Sequence, residues 1–223
     1  KSKPSMKNIN IFSESISDRI RAAKIVAVVI LDEVTDAVPL ARALLAGGVS
    51  VMELTLRTPT ALQSLEAIRG ECPEMFVGLG TVLTPEQVGQ AVQGKAAFGV
   101  APGFNPAVVR AAAAAGLPFA PGVATPSDIE GAVALGCRLL KFFPAEPSGG
   151  IPYLQTIGAP YAHLGLEYIP LGGLGKDNFT RYLALENVAA VGGSWVASRE
   201  LIQKRDWETI TRNARQATDQ LAR

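Results

Sequence analysis

At 223 residues, 48% of them hydrophobic, the chain can bury a large core and has a size that barrels routinely build as one unit, so a single domain over residues 1–223 is expected. Twenty-one Lys and Arg against 20 Asp and Glu leave a formal charge of +1 with no basic block to lie along a phosphate backbone, which argues against nucleic acid as a partner. Two cysteines without metal or redox spacing (Cys72, Cys137) and a single histidine (His163) argue against a metal site and a histidine triad; with no apolar stretch of membrane-spanning or signal length, a cytoplasmic protein is expected.

Residues 1–24 read as a polar lead, Lys1 to Asn10, and then a short helix capped by Ser13 or Ser15 ahead of Ile16 and Ile20, expected to close the bottom of the fold. The β-branched run Ile25–Leu31 has strand length, and the helical stretch Thr35–Ala46 after it stops at Gly47-Gly48. The alternation recurs: Val49–Leu56 with helix Thr58–Arg69, Met75–Val82 with Thr84–Gln93, Ala96–Ala101 with Asn105–Ala115, and Leu117–Val123 with Thr125–Leu135. The apolar run around Lys141 precedes a looser helical segment at Ile151–Ile157. Leu166–Leu171 pairs with Lys176–Leu185, and Val188–Val196 leads into helices Arg199–Gln203 and Asp206–Ala222.

Strict alternation implies a parallel sheet, and eight such units predict a single (β/α)8 TIM barrel with an N-terminal helix; an open doubly wound sheet is the runner-up. Thr58-Pro59, Thr84-Pro85 with Gln87, Asn105-Pro106 and Thr125-Pro126 with Asp128 each pair an N-cap with proline at the first helical position. The Ala111–Ala115 run reads as a tightly packed helix, the cysteines as small core residues, and Trp195 and Trp207 as core or interface aromatics.

In such a barrel the chemistry sits where strands end. Arg138 to Glu146 is a buried-strand pattern interrupted by one lysine, with Leu139, Lys141 and Phe143 on one face and Leu140 and Phe142 on the other. Lys141 either snorkels to water from the strand end or is held among apolar groups, where loss of solvation favours the neutral, nucleophilic amine. In Val51 to Arg57 the same period puts Glu53, Thr55 and Arg57 on one face; they could form a rim ion pair, or supply a proton shuttle and an anion fork beside the lysine. Glycines in Gly78-Leu79-Gly80-Thr81 would let a ligand approach the backbone, with the Thr81 hydroxyl at hand. Gly172-Gly173 follows the seventh strand and Gly192-Gly193-Ser194 closes the eighth, where many barrels bind phosphate. A turn requirement would explain either pair alone; their coincidence suggests a phosphorylated substrate.

Glu53-Leu54-Thr55-Leu56-Arg57-Thr58, Gly80-Thr81-Val82-Leu83, Lys141-Phe142-Phe143-Pro144-Ala145-Glu146, Gly172-Gly173 and Gly192-Gly193-Ser194-Trp195 resemble the bacterial 2-keto-3-deoxy-6-phosphogluconate aldolases. The likeness runs from about Ile25 to Trp195, and 4-hydroxy-2-oxoglutarate aldolase shares the pattern. The resemblance implies a cytoplasmic, homotrimeric class I aldolase of the Entner–Doudoroff route that forms pyruvate and glyceraldehyde 3-phosphate and requires no metal or other cofactor. It further implies Lys141 as the Schiff-base lysine and Glu53 as general acid/base. Arg57 and Thr81 would hold the pyruvate carboxylate, Phe143 would form a wall, and Gly172, Gly173 and Ser194 would bind the 6-phosphate. Relatives commonly have threonine where this chain has Leu171, which bears on preference at C4 and implies some tolerance of other aldehydes. The alternatives are an aldolase for the galactonate epimer or for 4-hydroxy-2-oxoglutarate, a barrel isomerase using Glu53 as base, and a silent sugar-phosphate binder.

Overall fold

The computed structural model describes residues 14–222. The polar lead and a cap at Ser13 lie outside them. Ser15 falls inside the first helix, α1 (Glu14–Ala23), rather than capping it. The strands are β1 (Ile25–Val29), β2 (Val51–Thr55), β3 (Phe76–Gly80), β4 (Gly99–Val100), β5 (Phe119–Ala120), β6 (Gly122–Val123), β7 (Leu139–Phe142), β8 (Glu167–Pro170) and β9 (Val191–Gly193). The remaining helices are α2 (Ala37–Ala46), α3 (Ala61–Glu71), α4 (Pro85–Gln93), α5 (Pro106–Ala115), α6 (Pro126–Ala134), α7 (Gly150–Gly158), α8 (Phe179–Leu183), α9 (Arg199–Gln203) and α10 (Trp207–Leu221). No helix among the described residues is long and apolar enough to cross a membrane.

All strand pairs are parallel, in a six-stranded sheet of order β5-β4-β3-β2-β1-β9 and a three-stranded sheet of order β6-β7-β8. Leu117–Val123, expected as one strand, is divided at Pro121, which has no N–H to donate. Its first half pairs with β4 and its second with β7, while the Pro121 carbonyl still accepts from the Lys141 N–H at 2.9 Å. At the other junction, single parallel bridges join Leu171 to Gly192 and Tyr168 to Val188.

The period of two divides the apolar side chains into two cores. One face carries Val26, Val51, Phe98, Val100, Leu139 and Ile169 into an interior cluster. The other carries Val29, Leu54, Leu79, Leu140 and Phe142 against the helices. Ile20 of α1 joins the interior cluster and is fully buried, so the first helix plugs the end where the strands begin. Arg21 anchors it through Glu167 at 2.7 Å.

Three of the four expected caps form. Thr84 with Gln87 and Thr125 with Asp128 make reciprocal capping boxes, and the Asn105 side chain accepts from the Ala107 N–H. Thr58 does not cap: its hydroxyl donates to the Leu31 carbonyl at 2.6 Å, the Thr60 hydroxyl does the same at 2.7 Å, and α3 starts only at Ala61. The alanine run is corrected as well. Only Ala112 is fully buried and Ala113 to Ala115 are exposed, so these alanines serve helix propensity rather than tight packing. Cys72 and Cys137 are buried, and burial pushes the Cys137 thiol up to about 12. Trp195 packs on Phe179 with ring centroids 5.6 Å apart, and Trp207 sits at the edge of the outer core.

Candidate active site

Lys141 lies on the inward face of β7, between Leu139 below and Phe143 above, both in the interior cluster. Its side chain is 7% exposed, which excludes the snorkelling alternative. Glu53 projects from β2 across the interior, 3% exposed, and its two oxygens accept from Lys141 Nζ at 3.0 and 3.3 Å. The pair spans 88 residues of sequence and joins the two sheets. A buried ammonium and carboxylate each lose hydration, so neither is tolerated in this place without the other. The same contact puts both oxygens within proton-transfer reach of the amine.

Gly80 makes room for the pair. A Cβ there would stand 2.2 Å from Glu53 Oε1, and one at Gly78 would meet the Phe98 ring at 2.2 Å. These glycines therefore accommodate side chains, which corrects the expectation that they bring a ligand to the backbone. Thr55 turns its hydroxyl to the Val29 carbonyl at 3.1 Å, leaving Glu53 as the carboxylate partner of Lys141. Thr81, directly after β3, holds φ at 59°, a left-handed conformation that is costly for a β-branched residue, and its side chain lines the space above the pair.

That space is a cleft of about 520 Å³. Glu53, Arg57, Thr81, Lys141, Phe143, Gly172, Gly173 and Ser194 all line it, so the eight residues to which the resemblance gave a role share one cavity. Arg57 does not pair with Glu53. Beyond the end of β2 it is exposed and makes no ion pair with any described residue, so its guanidinium is available to an anion. The Phe143 ring centroid lies 5.3 Å from Lys141 Nζ, close enough for a cation–π contact as well as a wall.

The glycine side of the cleft is tied to the lysine strand by backbone. The Leu171 N–H donates to Phe142 at 2.9 Å, the Ala145 N–H to Leu171 at 2.7 Å and the Glu146 N–H to Gly172 at 3.0 Å. Gly172 and Gly173 have φ of 95° and 82°, and a Cβ at Gly173 would stand 2.6 Å from Glu146 Cβ. The Glu146 carboxylate accepts the Tyr182 hydroxyl of α8. Burial and then this bond push the Tyr182 hydroxyl to a higher pKa.

Sequence reasoning missed five lining residues, among them Leu174, which follows the glycine pair. Val28 and Ile30 follow the inward period of β1 and were legible from it; Pro102 and Arg199 were not. Arg199 opens α9 and is held by Asp32, 167 positions away in the sequence, through Nε–Oδ2 at 3.0 Å and Nη2–Oδ1 at 2.6 Å.

The sequence model of the KDPG and KHG aldolases matches residues 16–213. The KHG/KDPG aldolase of Escherichia coli K12 is 38% identical over 214 residues, 96% of this chain and 98% of that protein. Among solved structures, KDPG aldolase of Legionella pneumophila, with pyruvate captured as a covalent carbinolamine, superposes with a TM-score of 0.85 at 38% identity, covering 90% of this chain and 96% of that one. The Zymomonas mobilis ZM4 enzyme with 3-phosphoglycerate gives 0.85 at 36% identity over 91% and 94%. Sharing both sequence and fold with these enzymes along nearly its whole length, the chain belongs to the KDPG and KHG aldolase family.

Proposed function

We propose that the protein is a class I aldolase that cleaves 2-dehydro-3-deoxy-6-phospho-D-gluconate to pyruvate and D-glyceraldehyde 3-phosphate. The observation that carries this reading is the buried Lys141–Glu53 pair at the floor of the cleft. As substrate enters, Glu53 takes a proton from Lys141 and the free amine attacks the C2 ketone. Glu53 returns that proton to the carbinolamine hydroxyl, water leaves, and an iminium forms. The carboxylate then removes the C4 hydroxyl proton, the C3–C4 bond breaks, and its electrons move into the iminium, which becomes an enamine as the aldehyde departs. Protonation at C3 by Glu53 and hydrolysis release pyruvate and restore the pair.

In this reading Arg57 forks onto the pyruvate carboxylate beside the Thr81 hydroxyl, and Phe143 covers the imine. Gly172, Gly173 and Ser194 take the 6-phosphate through backbone N–H groups and a hydroxyl. The eight strand positions close into one (β/α)8 barrel, which the bridges from Leu171 to Gly192 and the handover at Pro121 support. The protein acts in the cytoplasm as a single-domain subunit of a homotrimer. 4-Hydroxy-2-oxoglutarate is the second substrate to consider, because Lys141, Glu53 and Arg57 serve only the pyruvate half that both compounds share.

Incubation with pyruvate and borohydride, followed by peptide mapping, tests the mechanism. A reduced pyruvate adduct on Lys141 is expected. No adduct under conditions where pyruvate binds eliminates imine chemistry and leaves the isomerase or binding alternatives. Comparing cleavage with and without the 6-phosphate then separates the two aldolase substrates.

A further inference from the structure

Four charged side chains line the cleft, and the proposed mechanism uses three of them. The fourth, Arg199, sits five residues beyond Ser194 and lines the same cleft as Gly172, Gly173 and Ser194, the groups assigned to phosphate. Its guanidinium is spread flat by Asp32. Nε and Nη2 are both engaged by that carboxylate, and Gln203 Nε2 holds Asp32 from behind at 2.9 Å. Nη1 donates to no described residue, so one edge of a fixed fork remains unused in a cleft built for an anion. The side chain is 50% exposed, so it meets an incoming ligand without prior unfolding of its surroundings.

We infer that Arg199 is a specificity-determining residue that binds the terminal phosphate of the substrate through Nη1, with Asp32 as the tether that aims it. The inference rests on the proposed phosphate role of the β8 and β9 loops. Backbone N–H groups and a hydroxyl supply directed hydrogen bonds but no full positive charge, and a phosphate dianion gains most from a charged, planar donor. The charged donor favours a dianionic terminus over a neutral hydroxyl, while Asp32, by offsetting one unit of charge, keeps the contact weak enough to release the product aldehyde.

The experiment measures steady-state cleavage of the 6-phosphorylated substrate alongside deuterium exchange at the methyl group of pyruvate, which uses only the enamine half of the reaction. Arg199→Gln is expected to raise KM for the phosphorylated substrate by about tenfold, the range of one lost charge-assisted contact, with kcat little changed and exchange at the parent rate. Arg199→Lys recovers part of the loss, and Asp32→Asn, which keeps the cation and removes its tether, raises KM by less than Arg199→Gln. Equal rises in KM for Asp32→Asn and Arg199→Gln, or a parallel fall in exchange, identify the pair as a strap between β1 and α9 and overturn the inference; so does an unchanged KM in Arg199→Gln. If the parent enzyme forms no pyruvate adduct or is indifferent to the 6-phosphate, the aldolase reading itself fails, independently of the Arg199 variants.

Discussion

The two ends of the cleft are built from different materials. At the lysine end, the polar atoms belong to side chains on strand interiors, Lys141 and Glu53, each almost wholly removed from water and each holding the other. At the glycine end, Gly172 and Gly173 present backbone in a left-handed conformation, and the charged side chain assigned to that end, Arg199, is half exposed. Under the proposed roles, the difference follows from what each end has to do. Bond making needs a proton donor and an amine fixed within hydrogen-bond reach in a dry site, where their interaction is strong. An anion that must arrive and leave is better met by N–H groups and a solvated cation, since full desolvation would add a cost to every turnover.

The largest effect that separates the ends is expected at Glu53. Glu53→Gln keeps the size and a hydrogen bond to Lys141 but cannot accept its proton, so cleavage and pyruvate methyl exchange should both fall by about 10²- to 10⁴-fold while KM for the phosphorylated substrate moves little. Near-full turnover in this variant would remove Glu53 from the proton path. Gly80→Ala approaches the same end from behind. Its Cβ would intrude to 2.2 Å from Glu53 Oε1, and the carboxylate can yield only by swinging toward the cleft and giving up the geometry in which both its oxygens accept from Lys141. We expect kcat and exchange to fall together by roughly 10- to 100-fold, in keeping with the sensitivity of catalysis to a displacement of about 1 Å. Loss confined to KM would show that Gly80 serves ligand binding after all.

Gly173→Ala is the matching lesion at the other end. Here φ is 82° and the new methyl would meet Glu146 Cβ at 2.6 Å, so the loop has to move, at a cost of about 1–3 kcal/mol. The expected outcome is the reverse of Gly80→Ala: KM for the phosphorylated substrate rises roughly tenfold and pyruvate exchange is retained. If exchange falls in step, the hydrogen bonds from Ala145 and Glu146 to the β8 loop transmit the disturbance to Lys141, and the two ends form one mechanical unit rather than two.

The contrast also governs what could be read from the chain alone. Local rules carried the alternation of strands and helices, the inward faces of β2 and β7, and the caps at Thr84, Asn105 and Thr125, because each depends on residues within a few positions. Strand lengths were overestimated: Ala96–Ala101 reads as a strand by its apolar content, whereas the ladder covers only Gly99–Val100. Thr58 failed as a cap because a carbonyl at Leu31, distant in sequence, competes for its hydroxyl. The choice of Lys141 rather than Arg57 as the partner of Glu53, the space kept by Gly80, and the Arg199–Asp32 tether are set by contacts 27 to 167 residues apart in the chain, which no local period encodes.

Leu171 lies between the two ends and offers the smallest, most selective test. Although its position follows β8 and faces the cleft, it is 4% exposed, belongs to the interior cluster, and fills the space that a side chain at Gly192 would need, its Cδ2 being 2.6 Å from where that Cβ would stand. An isobutyl group there gives the substrate hydroxyls nothing to bond, so at this position the two configurations at C4 are distinguished by shape alone, which is a weak discriminator. Leu171→Thr replaces packing with a hydroxyl. Truncating a buried leucine should cost about 2–5 kcal/mol and lower the thermal midpoint. At the same time the ratio of kcat/KM for the two C4 epimers should widen by up to about tenfold, with pyruvate exchange unchanged, because the enamine half does not reach C4. Measuring both epimers and the melting curve on one preparation separates the effects: a lower midpoint with an unchanged ratio would make Leu171 a packing residue alone, and the breadth of aldehyde acceptance would then have to be set by the glycine loops.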